Sequence, residues 1–426
     1  MSIKRIVEYL YPLHRTLASD GMREALDLIK EFLEGGTLHE YRSGTNAWSW
    51  IIPQSWDIDE AWLAVNGVVV LDFDENPLNL VSYSIEVDDY FTWDEIKDHL
   101  YVSKDRPAAT PWVFKYYDDT WGFCMPKQLL DAFPEDGTYH VVIKPRYGDS
   151  LEVLDHVIPG SKSEMLLMAH VCHPNQANDD AAGVATLIEV ARRLKKTPLP
   201  PGSMTVRFLF GPETIGPIAY LANNDDVIDR TKSALFAEMT GTDGTLKLQK
   251  SMTGQSLIDQ VANVVMGQAG QLERYDFGDL ISNDERVTNA PGLDIPTVSL
   301  SRFPYPEYHT SDDNLDIIHE EQLQQAADII EEIVRVYASN FIPVLNFKGP
   351  IMLSRYDLFL DWRKTWIDNR RREKIMLSMN GKRSVFDIAQ QFDLDYWSVY
   401  DEVMEFEKKG LLMRKEIDDE RRKPIW

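Results

Sequence analysis

Two imidazoles and two carboxylates fall within one short stretch, His170-Val-Cys-His173-Pro-Asn-Gln-Ala-Asn178-Asp179-Asp180-Ala-Ala-Gly183. Neutral imidazole nitrogen together with carboxylate oxygen is a donor set that suits zinc and related divalent ions. The apolar run 165–169 leads into the stretch and the helix-patterned run 184–194 leads out. Donors at the C-terminal end of a strand, followed by a tight Gly-containing turn into a helix, stand where open α/β sheets build active sites.

Four later segments have the same character. The strand-like run 204–210 ends at Gly211-Pro-Glu213-Thr214-Ile-Gly216, and the run 234–237 ends on Glu238-Met-Thr-Gly241. Ser282-Asn-Asp284-Glu285-Arg286 precedes Pro291-Gly-Leu-Asp-Ile-Pro296, and Glu307-Tyr308-His309-Thr-Ser-Asp312-Asp313 comes last. Each puts a polar group just after an apolar strand or in a loop beside one, so several strand ends can converge on one pocket. His14, His39, His99, His140, His156 and His319 lack such context and read as ordinary surface or core residues. Cys172 reads as a small buried hydrophobe, Asp180 as a cap of the helix after Gly183, and Asp312-Asp313 as a cap of the next element. Arg286 has two readings of equal weight, a salt bridge or a fork for a substrate carboxylate.

The elements that must hold these residues are legible in outline. Residues 1–35 carry apolar positions at helical spacing, with Gly35-Gly36 as the stop. From about 40 to 140 short β-type runs, rich in tryptophan, are broken by Asn-Gly and Asp-rich turns. The tryptophans there read as core. From 140 to 345 strand patterns (139–144, 151–157, 165–169, 204–210, 234–238, 296–300) alternate with helix patterns (184–195, 257–266, 320–337), which predicts an α/β sandwich on a parallel or mixed sheet. The expected division is a catalytic domain over 1–40 and 138–348, an inserted β-rich domain over 41–137, and a winged-helix-like domain over 360–426. In the last, helices over 371–378, 384–392 and 395–409 precede a small wing formed by 410–415 and Asp418–Arg422.

Composition narrows the partners. The chain has 426 residues with a net charge of −25, from 69 acids against 44 bases, which disfavours nonspecific attraction to nucleic acid or anionic membranes. The C-terminal region is nearly neutral, with 13 Lys and Arg against 12 Asp and Glu over 369–426. Its third helix carries Asp395, Asp401, Glu402, Glu405 and Glu407, which would face phosphates. Protein contact, including a homo-oligomer through this domain, is expected there in preference to DNA reading. Two cysteines make no disulfide framework. No run approaches the ~20 apolar residues of a membrane span and no secretory leader pattern opens the chain, so a soluble cytoplasmic protein is the expectation.

The segments named above, in that order, resemble the zinc aminopeptidase superfamily that includes bacterial leucyl aminopeptidases and glutaminyl cyclases. The closest resemblance is to its aminopeptidase-like subfamily of unknown function, which shares His-x-Cys-His-Pro, Pro-Glu-Thr-Ile-Gly, Asp-Glu-Arg and Tyr-His-Thr-Ser-Asp-Asp. That subfamily also has an inserted β-rich domain and a C-terminal winged helix. The resemblance implies a sandwich fold with a mixed eight-stranded sheet and metal-dependent hydrolysis of an amide, with one or two zinc ions and a small peptide or amide substrate. By motif position His170, Asp179, Glu238 and His309 match metal ligands, with Asp179 bridging. Glu213 matches the general base, which takes a proton from the attacking water and returns it to the leaving amine. Asp284, Arg286 and Tyr308 are the candidate substrate contacts. Two departures leave alternatives open. Thr214 stands where the superfamily has a second Glu ligand, so one metal site is weak, missing or rebuilt, and Glu213 could itself turn inward as a ligand. Cys172 stands where an Asp orients the imidazole, and His173 offers a further nitrogen. A deacylase or transferase of the same fold acting on a biosynthetic small molecule, and a catalytically inactive scaffold, are the rival readings.

Overall fold

The computed structural model describes residues 1–361, 363 and 365–417. Its centre is a mixed eight-stranded sheet. The four middle strands, in the order Thr205–Gly211, Glu164–His170, Thr231–Glu238 and Thr297–Ser301, run parallel. Every residue of Glu164–His170 and Thr205–Gly211 is buried, as expected of parallel strands covered on both faces. Ser150–Ile158 and Thr37–Arg42 extend one side through antiparallel pairs; on the other, Lys247–Gln249 pairs antiparallel with Thr297–Ser301 and parallel with Arg274–Tyr275.

Helices Gly183–Lys196, Glu320–Ser339 and Leu257–Gln268 pack together with Ile3–Leu10 and Asp20–Leu33, while Ile215–Leu221 and Glu285–Thr288 form a second set against the strands. The single helical segment expected over 1–35 is two helices. Pro12 lies in the break, where it cannot continue a helical hydrogen-bond ladder. Ser19 caps the second helix by accepting from the Met22 N–H, and that helix ends on Glu34 in the left-handed region, just before Gly35-Gly36.

A separate four-stranded antiparallel sheet, Val68–Asp72, Ser55–Val65, Tyr139–Gly148 and Val87–Phe91, sits beside the large one. Asn66 and Gly67, both at positive φ, make its tightest hairpin, the arrangement that matches strand twist in a two-residue loop. Tyr139–Gly148 pairs within this small sheet, and the chain returns to the large sheet at Ser150.

Near the C-terminus the helices Trp366–Ser378, Val385–Gln391 and Tyr396–Lys408 are followed by the strand Leu412–Lys415. That strand pairs antiparallel with Ile342–Leu345. Residues 418–422, expected in the wing, lie outside the described residues. Among the described residues no helix is long and apolar enough to cross a membrane.

Candidate metal centre

Strand register assembles the site. His170 is the last residue of its strand and lies opposite Gly211 of the neighbour that leads to Glu213. On the other side Glu238 is the last residue of its strand, opposite Ser301 of the strand that leads on toward His309. Parallel neighbours therefore deliver His170, Glu238, the Glu213 loop and the His309 loop to the carboxyl edge of one sheet.

The loop after His170 is held from beneath. Arg15, fully buried, donates to the Val171 carbonyl at 2.6 Å and to the Gln176 carbonyl at 2.9 Å. Asp313 accepts from the backbone N–H groups of Ala177, Asn178 and Asp179 at 3.1, 2.7 and 3.1 Å, and from the Tyr305 hydroxyl at 2.7 Å. Asp313 thus reaches back to the 177–179 loop instead of capping the next element; Asn314 caps the short helical turn Leu315–Ile317. Asp180 does act as a cap: its Oδ1 accepts from Gly183 N–H and from Met239 N–H, each at 2.9 Å. Gly183 has no alternative here, because a Cβ would collide with the Asp180 carboxylate and the Ala237 carbonyl.

Asp179 is the hub. Its Oδ1 lies 3.2 Å from His170 Nε2, and its Oδ2 lies 3.0 Å from both His173 Nδ1 and His309 Nε2. His170 Nε2 is also 3.6 Å from Glu238 Oε2. Two sets of three donors meet at Asp179, His170–Asp179–Glu238 and His173–Asp179–His309, and a third, His170–Cys172–His173, lies beside them, each with its donor atoms within 4.8 Å of one another. His170 Nε2, His173 Nδ1, Asp179 Oδ1 and Glu238 Oε1 are buried without a well-formed hydrogen bond. Such atoms are costly to bury unpaired. Their convergence, with neutral-nitrogen and carboxylate chemistry, fits a divalent cation.

The electrostatics show the same crowding. Burial would lower the pKa of His170, but Asp179, Cys172 and Glu238 outweigh it and hold the imidazole well above its usual value. Burial would raise Asp179, yet His173, His170 and His309 pull it well below the usual carboxylate range. Burial pushes Glu238 up to about 7. For Glu213, burial is overcome by His173, and the carboxyl is lowered.

Glu213 Oε2 is 3.1 Å from His173 Nε2, and the side chain retains 24% exposure, against 0–1% for His170, Asp179 and Glu238. It is therefore the carboxylate of this group that an incoming molecule can reach. Cys172 is buried as expected, but it is not merely packing: its Sγ accepts from the Glu213 N–H at 3.1 Å and sits 3.8 Å from His170 Nδ1. Thr214 adopts φ 62°, ψ −59°, costly for a β-branched residue. Its N–H donates to Asp284 Oδ1 at 2.6 Å and its hydroxyl accepts from Arg286 Nη2 at 3.1 Å. Arg286 has no carboxylate partner among the described residues; its side chain is engaged by Thr214. Burial pushes Asp284 up to about 7. Tyr308 stacks on His309 with ring centroids 3.7 Å apart.

Residues that sequence reading passed over complete the site. Asn283 donates to Glu238 Oε2 at 2.6 Å; its place beside Asp284 was the available clue. Trp112, from the small-sheet region, has its ring 4.2 Å from His173 and 4.7 Å from His309. It is buried, as a core tryptophan should be, yet the surface it covers belongs to the site. Nothing in the pattern around Arg15 marks it.

Comparison with known proteins agrees with this architecture. Residues 4–340 match the family described as "Domain of unknown function (DUF4910)". A Clostridium acetobutylicum protein named "Putative polysaccharide biosynthesis protein with aminopeptidase-like domain" is 32% identical over 413 residues, covering 92% of each chain. A crystal structure described as a "putative peptidase" from Clostridium acetobutylicum superposes with TM-score 0.85 at 29% identity, over 97% of this chain and 96% of that one. A zinc aminopeptidase from Bacillus subtilis superposes with TM-score 0.60 at 16% identity, over 78% and 93%, a likeness of fold.

Proposed function

We propose that this chain, which belongs to the DUF4910 family of aminopeptidase-like proteins, is a metal-dependent hydrolase of amide bonds with Glu213 as general base. The observation that carries this reading is Asp179, buried between His170 and Glu238 on one side and His309 on the other, with donor atoms unsatisfied on the protein alone. His170, Asp179, Glu238 and His309 would hold zinc, one or two ions. When bound there, zinc polarises an amide carbonyl and lowers the pKa of water toward about 7.

The chain's own groups do the rest. Glu213, lowered toward its ionised form and partly open to solvent, accepts the proton of the attacking water and delivers it to the leaving amine. With its proton on Nε2, His173 donates to the Glu213 Oε2 at 3.1 Å, which leaves Oε1 for the proton of the water. Tyr308, Asp284 and Arg286 receive the substrate, with the Arg286 guanidinium offering a planar fork to a carboxylate. The small sheet and the 110–116 segment wall the site, consistent with a small peptide or amide. The C-terminal three-helix unit, read as a winged helix, is assigned to self-association, since the acids of Tyr396–Lys408 oppose contact with nucleic acid. A cytoplasmic setting, without membrane attachment, fits the acidic composition.

The name of the Clostridium acetobutylicum relative favours a second reading, in which the amide belongs to a biosynthetic sugar and the reaction is a deacylation. The decisive experiment assays zinc-loaded wild type and Glu213→Gln on amino-acid amides, short peptides and N-acyl amino sugars. Loss of about 10²–10⁴ in kcat with unchanged metal content is expected. The substrate that responds selects between the two readings. Equal rates for both proteins across the panel would sink them together.

A further inference from the structure

We propose that His173, Asp179 and His309 form a second cation seat beside His170–Asp179–Glu238, with His173 supplying the donor that Thr214 cannot. This rests on the metal-dependent reading above.

The carboxylate geometry points to two seats. The oxygens of Asp179 face different partners: Oδ1 turns to His170, and Oδ2 to His173 and His309 at 3.0 Å each. A carboxylate with donors gathered at both oxygens can bridge two cations about 3.5–4 Å apart.

The orientation of His173 is set from its far side. Its Nε2 stands 3.1 Å from Glu213 Oε2. A proton on Nε2 satisfies that carboxylate and leaves the Nδ1 lone pair aimed at Asp179 Oδ2. Two acceptors facing each other at 3.0 Å repel unless a proton or a cation lies between them. His173 Nδ1 is buried with no well-formed hydrogen bond. A carboxylate on the second nitrogen of a ligating imidazole is the usual way such a ring is fixed and made a better donor.

Backbone conformation supports the same assignment. His173 has φ 85° and His309 φ 54°. Such values are unfavourable for non-glycine residues; the strain persists where the surroundings fix it, and here it accompanies both imidazoles converging on one oxygen. Thr214, meanwhile, is committed elsewhere: its hydroxyl takes the Arg286 guanidinium and its N–H the Asp284 carboxylate. The donor lost at 214 is therefore recovered at 173, from the strand-end loop that also carries the bridging Asp179. Exchange of a carboxylate for a neutral imidazole makes this seat one negative charge poorer.

The test is a count of cations. Purified full-length protein is stripped by chelation and titrated with zinc, and separately with cobalt(II), read by calorimetry, elemental analysis and the cobalt absorption spectrum. Two equivalents per chain are expected for wild type. His173→Ala and His309→Ala should each retain one, and H173A/T214E should regain the second. The two single variants guard against a folding defect in either, and circular dichroism checks each. One equivalent in wild type that survives H173A but vanishes in H170A overturns the second seat and leaves the proposed function standing; a His173 held as an imidazolium between Asp179 and Glu213 would give this result. No bound cation in wild type overturns both.

Discussion

The backbone N–H of Trp112 donates to the carbonyl oxygen of His309 at 2.8 Å, while its indole stands edge-on to the His309 imidazole with centroids 4.7 Å apart. The region of the small sheet is thereby tied, by main chain and by ring, to a residue of the candidate metal centre. Replacing Trp112 by Ala should cost about 3–5 kcal/mol, the usual range for emptying a buried aromatic site. It should also weaken cation binding more than Trp112→Phe, which keeps a ring and loses the indole donor to Ser82 at 3.2 Å. Denaturant titration with and without zinc measures both effects. A W112A protein with wild-type cation affinity would separate the wall from the centre.

Asp313 is the keystone of the 177–179 loop. Asp313→Asn keeps the shape but exchanges one acceptor oxygen for an N–H group facing backbone donors or the Tyr305 hydroxyl. Burial pushes the Asp313 carboxyl up to about 7, so at pH 8, where it is ionised, a loss of about 2–3 kcal/mol is expected, since hydrogen bonds to a charged group contribute about 1.5–3 kcal/mol. Tyr305→Phe, which removes one of the four donors, should cost about 1 kcal/mol. Urea unfolding ranks the two; the reverse order would place the strength of the loop in the hydroxyl.

His14 gives a pH signature away from the candidate metal centre. Part of its surface reaches solvent, but its ring lies edge-on to Phe73 at 4.9 Å and 5.7 Å from Trp56, and burial lowers its pKa to about 4. Below the ordinary value near 6.5 the unfolded chain takes a proton that the folded chain refuses. This contribution is therefore intact above pH 6.5, is lost as pH falls from 6.5 to 4, and changes no further below that, with an upper bound of about 3 kcal/mol. Other groups titrate in the same window, so the measured quantity is the wild-type slope minus that of His14→Phe. The difference should be positive between pH 4 and 6.5 and vanish at pH 8.

Arg286 should act through substrate charge. For substrates with a free carboxylate, Arg286→Ala is expected to raise KM by about tenfold with kcat little changed, the pattern of lost uniform binding. Arg286→Lys should recover only part of this, because an ammonium cannot reproduce the planar fork. Steady-state kinetics on matched acidic and neutral substrates decides. Equal losses on both would show that Arg286 works through its hold on Thr214.

The large sheet was readable because three of its central strands carry apolar runs, and two of these lead directly into a polar strand end, His170 and Glu238. Helix 320–337 and the 184–195 helix were readable from their spacing. The break between Ile3–Leu10 and Asp20–Leu33 was not read, because apolar residues continue across Pro12 and mask it. In the site, the donors announced themselves by type and by place after strands. Arg15, Trp112 and Asp313 did not, because their roles depend on where distant segments meet. Arg15 reaches the 171–176 loop from the N-terminus, and Asp313 reaches 177–179 from beyond the last parallel strand. His173 remained open in the sequence because the choice between loop anchor and donor turns on a backbone φ and the position of Glu213.

The pairing of Ile342–Leu345 with Leu412–Lys415 has a topological consequence. The chain leaves the large-sheet unit, makes three helices and returns to buckle onto its own departure point. Arg414 adds a second fastening, donating to the Pro201 carbonyl at 2.8 Å and lying over the Phe341 ring. A protease cut in the connecting stretch would nick the polypeptide without freeing a fragment, because both sides of the cut remain stitched to the same edge. Closing so long a ring costs entropy that grows only with the logarithm of its length. The return strand, together with the Trp397 indole donating to Glu332 at 2.8 Å and the Phe386 N–H donating to Asn340 at 3.0 Å, keeps the C-terminal helices at home without the covalent connection.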